Sequence, residues 1–193
     1  MKLPISDAVI PGTILTKDAC GNVSGSAFLD KIFFISDGVM LANIRDISGV
    51  DGSTLQNWVK RKWIPNPINK KYSKDQLARI LIINMLRKSM MLERIDFLLH
   101  YINGELDDTS DDIIPESALY DLICKASDKM IAENIDMTNA IDAVTASYAE
   151  PRDGAKTRLQ RALAVILSCY FSSLLQNHAT ALFEKLEGAD SIR

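Results

Sequence analysis

The side chains that point most clearly to chemistry are cations gathered in one segment. Between Leu55 and Met90 the chain has nine lysines or arginines and a single acid, Asp75, which gives this segment a net charge of +8. The whole chain of 193 residues carries −3, so the remainder sums to −11. A protein that is acidic overall but concentrates its positive charge in one stretch is expected to bind a polyanion there.

Amide side chains accompany these cations on a short helix that we predict to begin at Ser53. Leu55, Trp58 and Val59 recur at helical spacing and are expected to face the core. The opposite side then carries Thr54, Gln56, Asn57 and Arg61. Amide and guanidinium groups can make paired hydrogen bonds with base edges in the major groove of DNA. The pattern therefore predicts a helix that reads duplex DNA.

Catalytic and metal-binding patterns are poorly represented. The two histidines, His100 and His178, belong to no metal-spaced cluster. No glycine-rich phosphate loop is present, and no serine stands in a nucleophile-elbow context. The four aspartates of residues 105–112 lack the alternating ligands and closing glutamate of a calcium loop, so we interpret them as a solvated linker. The sequence predicts that the protein is not an enzyme and binds no metal or cofactor.

The composition is typical of a soluble globular protein, with 47% hydrophobic and 24% charged residues. The three cysteines, Cys20, Cys124 and Cys169, show no close pairing and are expected to be reduced thiols. The start of the sequence lacks the pattern of a signal peptide, and no apolar run reaches the ~20 residues that a bilayer requires. We therefore predict a cytoplasmic protein with no membrane partner.

The elements predicted to position these side chains give a mainly α fold in three parts. Residues 1–25 are expected to be an irregular arm. Residues 26–104 would form a DNA-binding domain, with helices beginning at Ser26 and Val39, then the Ser53 helix. Pro65 and Pro67 exclude helix, so residues 64–72 are predicted to be a short hairpin or wing. A longer helix capped by Ser73 and another helix ending at Gly104 complete this domain.

Residues 113–193 are predicted to form an all-helical regulatory or dimerisation domain. The apolar residues of its last helix cover more than one stripe, which indicates burial by neighbours on several sides. Those neighbours could belong to the same chain or to a second copy in a homodimer, and the sequence leaves both open. An unknown small-molecule effector bound among these helices is a further possibility.

Several short motifs resemble a known DNA-binding architecture. Residues 39–50, the Ser53 helix, Trp63-Ile-Pro65 and residues 71–80 together look like the MerR-type winged helix-turn-helix. More narrowly, residues 57–60, Ile64-Pro65, residues 70–73 and residues 76–78 resemble a bacterial family known as domain of unknown function 1836. Two positions depart from the MerR pattern: Gln56 stands where it usually has arginine, and Lys62-Trp63 where it has Gly-Leu.

This resemblance implies a bacterial transcriptional regulator that binds double-stranded DNA. It implies that the Ser53 helix enters the groove, while the wing and Arg79 behind it meet phosphates. The residues predicted to contact DNA are Thr54, Gln56, Asn57, Lys60, Arg61, Asn69, Lys70, Lys71, Tyr72 and Arg79. The main alternative is a protein-interaction module, in which a helix-turn-helix that no longer binds DNA binds an acidic protein partner.

Overall fold

The computed structural model describes residues 8–106 and 108–190, with only the backbone of Thr109 and of residues 188–190. Within these residues the fold is mainly α, as predicted, with eight α-helices and one two-stranded antiparallel sheet. The elements are α1 (Gly25–Phe33), β1 (Val39–Met40), α2 (Leu41–Ser48), α3 (Gly52–Lys60), β2 (Lys71–Tyr72), α4 (Lys74–Leu86), α5 (Leu92–Asn103), α6 (Glu116–Ala132), α7 (Met137–Thr145) and α8 (Ala155–Asp190). Single 3-10 turns lie at Asp18–Cys20 and Thr109–Asp111.

Helix α4 is the centre of the fold because nearly its whole circumference is buried. Its buried residues are Leu77, Ala78, Arg79, Ile80, Leu81, Ile82, Ile83, Met85 and Leu86. A helix that is apolar all round needs neighbours on every side, and α4 packs against α1, α2, α5, α6 and α8. The buried hydrophobic residues consequently form one cluster that runs from Ile10 to Phe171.

The predicted start of α4 at Ser73 is confirmed. The Gln76 amide N–H donates to the Ser73 hydroxyl at 3.2 Å, and the Ser73 amide N–H donates to the Gln76 side chain at 2.8 Å. This reciprocal capping box satisfies two backbone donors that a helix start leaves unpaired. The predicted helix ends at Gly49 and Gly104 are also confirmed, each glycine having a φ of 70°.

Three helix starts differ from the prediction. Val39 and Met40 form a strand, because they pair with Tyr72 and Lys71, and α2 begins only at Leu41. Helix α3 begins after Asp51, whose carboxylate accepts the Thr54 amide N–H at 2.8 Å, so Asp51 and not Ser53 is the N-cap. Helix α1 begins at Gly25, after Ser24 and not at a Ser26 cap.

The N-terminal arm is held against the helices by specific hydrogen bonds. The Tyr120 hydroxyl donates to the Pro11 carbonyl at 2.7 Å, and the Asn84 amide donates to the carbonyls of Gly12 and Ser48, each at 2.9 Å. Gly12 has a φ of +75°, and a Cβ there would lie 2.2 Å from the Leu81 carbonyl oxygen. Only glycine fits this close approach. The predicted arm includes residues 1–7, which lie outside the described residues.

A buried guanidinium links four parts of the chain. Arg79, 4% exposed, donates through Nε to the Trp63 carbonyl at 2.6 Å and through a terminal nitrogen to Glu116. Its other terminal nitrogen lies 3.9 Å from Asp96 Oδ1. Burial raises the pKa of Glu116, and the positive charge of Arg79 opposes that rise. The group joins the segment after α3 to α4, α5 and α6.

We expect the substitution Arg79→Leu to lower the free energy of unfolding by about 3–5 kcal/mol, because it leaves the Glu116 carboxylate and the Trp63 carbonyl buried without their partner. The control is Lys74→Ala, which removes an ion pair with Asp30 at the surface and is expected to cost less than about 1 kcal/mol. Equilibrium denaturation in urea measures both values. Equal losses for the two variants would contradict a structural role for the buried ion pair.

Candidate nucleic-acid interface

Helix α3 presents one apolar face inward and one polar face outward. Leu55 and Trp58 are 0% and 1% exposed, so they hold the helix on the body of the protein. The exposed side chains are those of Ser53, Gln56, Asn57 and Lys60. No acid lies within α3, and its acidic N-cap, Asp51, precedes it. The exposed face can therefore donate and accept hydrogen bonds through its amides and carries positive charge at its C-terminal end.

The N-terminus of α3 is fixed by Asp51. The Asp51 carboxylate accepts the hydroxyls of Ser53 and Thr54 at 2.5 and 2.6 Å, besides the Thr54 amide. These hydrogen bonds lower the pKa of Asp51, so the cap persists above its depressed pKa and is lost only as the pH falls through that value. The Thr54 hydroxyl is thus engaged as a donor and the residue is half-buried.

Two arginines lie over the tryptophans that flank the end of α3. The Arg87 guanidinium, at the end of α4, lies 5.6 Å from the ring centroid of Trp58. The Arg61 guanidinium lies 5.2 Å from the ring centroid of Trp63. Cations at this distance are attracted by the ring face. These contacts help to fix α3 relative to α4 and to the chain that follows it.

Residues 64–72 contain a two-residue hairpin turn closed by an antiparallel bridge between Ile68 and Lys71, and we call this segment the basic hairpin. Ile68 and Lys71 exchange both backbone hydrogen bonds at 3.0 and 2.9 Å. The two residues between them, Asn69 and Lys70, have φ angles of 50° and 62°. Two successive positive φ values are typical of a type I′ turn, whose twist matches that of a β-hairpin. The side chains of Asn69, Lys70 and Lys71 are exposed at its tip.

The base of the basic hairpin is anchored on α4. The Gln76 side-chain amide donates to the carbonyls of Pro65 and Asn66 at 3.0 and 2.9 Å. Arg79 donates to the carbonyl of Trp63, the residue just before the hairpin. At the other end of the hairpin, the side chain of Tyr72 is buried in the core, 4% exposed. Burial also raises the pKa of Tyr72. The exposed tip therefore projects from a base that is fixed to the core.

Five exposed cations lie at the end of α3, directly after it and at the tip of the basic hairpin, and we call them the cationic ridge: Lys60, Arg61, Lys62, Lys70 and Lys71. Among the residues that the structure describes, none of the five forms a salt bridge to an acid. Lys62 has a φ of 59°, a conformation that favours glycine. Lys62 holds this conformation with a side chain in place of glycine and adds an exposed positive charge.

Two of the ten predicted DNA-contacting residues are buried, and their predicted roles are corrected. Tyr72 packs in the core, and Arg79 is engaged by Glu116 and the Trp63 carbonyl, so neither presents its side chain to a surface ligand. Thr54 is half-buried with its hydroxyl engaged. The remaining seven are exposed: Gln56, Asn57, Lys60, Arg61, Asn69, Lys70 and Lys71.

The sequence pattern did not predict the roles of three residues that position the site: Asp51, Gln76 and Arg87. Asp51 lies two residues before Ser53, where the helix was predicted to begin. The role of Gln76 as hairpin anchor and the stacking of Arg87 on Trp58 depend on contacts between separate elements. Across the described ranges, no three His, Cys, Asp or Glu side chains are grouped to hold a metal ion. None of the described helices is long and apolar enough to cross a bilayer.

Comparison with known proteins identifies the family. Residues 26–123 match the model of a family described as Domain of unknown function (DUF1836), which covers just over half of the chain. The chain belongs to the DUF1836 family. The DUF1836 match begins in α1 and ends within α6, so it includes α3, the basic hairpin and both partners of the Arg79–Glu116 ion pair.

One curated relative comes from Bacillus subtilis (strain 168). The protein, described as "Uncharacterized protein YkrK", is 33% identical to this chain over 87 residues, which is 43% of this chain and 37% of YkrK. The similarity thus spans little more than a third of the length of YkrK. No solved structure matches this DUF1836 protein.

We expect Lys70→Gly to stabilise the protein by about 0.5–1 kcal/mol. A left-handed conformation costs an ordinary residue roughly 1–2 kcal/mol, and the larger entropy that glycine loses on folding offsets only part of the relief. Lys71→Gly is the matched control, because Lys71 lies in β2 and the same change there is expected to cost about 0.5–1 kcal/mol. Urea denaturation measures both, and a loss of stability for both variants would refute the type I′ turn.

Proposed function

We propose that this protein binds double-stranded DNA through α3 and the basic hairpin and acts in transcriptional regulation. The single observation that carries the proposal is the pairing of an amide-bearing helix face with five exposed cations that lack acidic partners among the described residues. Polyanion binding requires such uncompensated charge. A merely solvated helix would more often carry glutamate on its exposed face, and α3 carries none.

The proposed arrangement is a winged helix-turn-helix that resembles the MerR type. Helix α2 ends at Gly49, a short turn follows, and α3 begins after Asp51 as the helix that enters the major groove. The basic hairpin is the wing. Its strand β2 pairs with β1 immediately before α2, so the wing is tied to both ends of the helix pair.

Affinity and sequence preference come from different side chains in this proposal. The lysines and arginine of the cationic ridge contact phosphates and release counterions, which supplies most of the affinity and makes it depend on salt. The amides of Gln56 and Asn57 contact base edges and supply the sequence preference. Arg79 contributes only indirectly, because it holds the wing in place from inside the core.

We expect the double variant Lys70→Glu/Lys71→Glu to bind every duplex more weakly and to show a flatter dependence of affinity on salt, because two phosphate contacts are lost. Fluorescence-anisotropy titrations at several salt concentrations measure both effects. The control is Arg94→Glu/Arg161→Glu, which makes the same change of charge at exposed residues outside the ridge. If both double variants lose the same affinity, only the overall charge matters and the wing assignment is wrong.

One observation favours an acidic protein partner as a second candidate. Met40 and Ile68 are 54% and 78% exposed, and both pair with Lys71, so two apolar side chains flank a cation on the small sheet. Exposed apolar side chains, methionine among them, are typical of the core of a protein interface, and the adjacent Lys71 would match an acidic group on the partner. Weak retention on random duplex DNA at low salt would favour this candidate over DNA.

We further propose that the protein is a homodimer joined through α8. One face of this helix carries residues at alternating spacings of three and four, which we call the α8 stripe: Val165, Ser168, Ser172, Leu175, Ala179, Leu182 and Leu186. All seven are exposed. The stripe lies about half a helical turn away from the face that buries Leu163, Ile166 and Tyr170. The described part of the same chain therefore leaves this stripe largely uncovered.

The occupant that best fits the α8 stripe is a second copy of the same stripe. Spacings of three and four form the seam of a two-stranded coiled coil. In an antiparallel pair, Ser168 would face Leu186 of the second copy, Ser172 would face Leu182, and Leu175 would face Ala179. Each layer then combines a small and a large residue, the arrangement that fills a seam best. Residues 179–187 are exposed on every side in one chain, so this end of α8 lacks the packing of an apolar face that gives most protein helices their stability.

We expect Leu182→Asp to convert the dimer to a monomer, because each copy then places a charge in a layer of the seam that the dimer removes from water. The matched control is Thr180→Asp, on the opposite, exposed side of the same helix. Sedimentation equilibrium gives the mass of each variant. If the unaltered protein already sediments as a monomer, or if both variants stay dimeric, the stripe is not the interface.

A further inference from the structure

A groove of about 770 Å³ lies between the N-terminal arm, the end of α4 and the C-terminal half of α8. Its floor and walls include the apolar side chains of Ile10, Met85, Tyr170 and Leu174. The arm that forms one wall is fixed by the Tyr120 and Asn84 hydrogen bonds. The groove is therefore a built feature of the fold and has room for a small molecule.

The polar side chains of the groove favour a negatively charged occupant. Arg87, Lys88 and His178 line it, together with the amide of Asn177, and no aspartate or glutamate is among the described residues that line it. Basic groups above an apolar floor match a ligand with one anionic head and an apolar body.

We propose that this groove binds an amphipathic monoanion, such as a medium-chain carboxylate, and that its occupancy regulates the DNA binding proposed above, on which the regulatory part rests. The carboxylate lies against Arg87 and Lys88, and the chain lies along Met85, Tyr170 and Leu174. None of these five residues belongs to the cationic ridge, so the ligand and DNA occupy separate sites.

Arg87 connects the groove to α3. Its guanidinium lies over the ring of Trp58, on the buried face of α3, and its Nε donates to Asn84 Oδ1 at 2.8 Å. Asn84 in turn donates to the Ser48 carbonyl at the end of α2. Ser48 and Gly49, at the turn between α2 and α3, also line the groove. A carboxylate that binds Arg87 competes with the Trp58 ring for the guanidinium. Binding therefore weakens a contact that fixes the position of α3.

The experiment uses the full chain with octanoate as the probe and octan-1-ol as its neutral match. The chain has two tryptophans, and Trp58 contacts Arg87, so tryptophan fluorescence reports occupancy without DNA. We expect saturable binding that is at least about tenfold tighter for octanoate than for octan-1-ol, because a charge-assisted hydrogen bond is present only for the carboxylate. Equal affinity for the two probes would overturn the site.

Variants test which cations are responsible. Arg87→Gln is expected to abolish the preference for octanoate, and Arg94→Gln, which lies outside the groove, is expected to keep it. Lys88→Gln serves as the second test if Arg87→Gln unfolds, because Lys88 is exposed. This variant is expected to lower the affinity for octanoate severalfold. An unchanged preference in a folded Arg87→Gln or Lys88→Gln protein would also overturn the site.

The regulatory part is tested by adding octanoate to the DNA titration. A change in duplex affinity for the unaltered protein that disappears in Arg87→Gln supports the coupling. Octanoate binding with no change in duplex affinity overturns the coupling and leaves the site standing. If the protein binds no duplex at all, the proposed function fails, while the fluorescence titration still decides whether the groove binds carboxylates.

Discussion

The position of the candidate interface depends on one buried cation. Arg79 is held in the core by Glu116 on α6, and it in turn holds the Trp63 carbonyl between α3 and the basic hairpin. A guanidinium can serve both partners because its donors are arranged in a rigid planar fork. Gln76 adds two hydrogen bonds to the same segment. Lys70 and Lys71 are thus carried on a hairpin whose base is fixed to the core.

The division of charge within the chain follows from this arrangement. The buried arginine is neutralised inside, whereas the cations of α3 and the hairpin tip remain at the surface without acidic partners among the described residues. The acid nearest to α3 in sequence, Asp51, is engaged as a helix cap, with its pKa lowered by hydrogen bonds from Ser53 and Thr54. The matched DUF1836 segment contains both the internal ion pair and the surface cations, so both lie within the part of the chain that matches the family.

Much of the fold could be predicted from local patterns, and the site only in part. The Ser73 cap, the helix ends at Gly49 and Gly104, and the hairpin after the prolines all depend on neighbouring residues, which the sequence displays directly. Strand β1 was missed because it exists only through pairing with β2, more than thirty residues later. Arg79 was assigned to the surface because no local signal shows that its partner, Glu116, lies 37 positions away. Tyr72 was misplaced for the same reason, since its burial depends on tertiary packing.

The most direct test of the proposed interface is a titration of the isotope-labelled full chain with a short random-sequence duplex, followed by nuclear magnetic resonance of the backbone amides. The amides of α3 and of the basic hairpin are expected to shift together and to saturate at one duplex concentration, because one rigid unit carries both. The backbone amide resonances of residues around buried Arg79 are expected to keep their chemical shifts. Shifts confined to other elements, or shifts in α3 and the hairpin at different concentrations, would contradict a single DNA-binding surface.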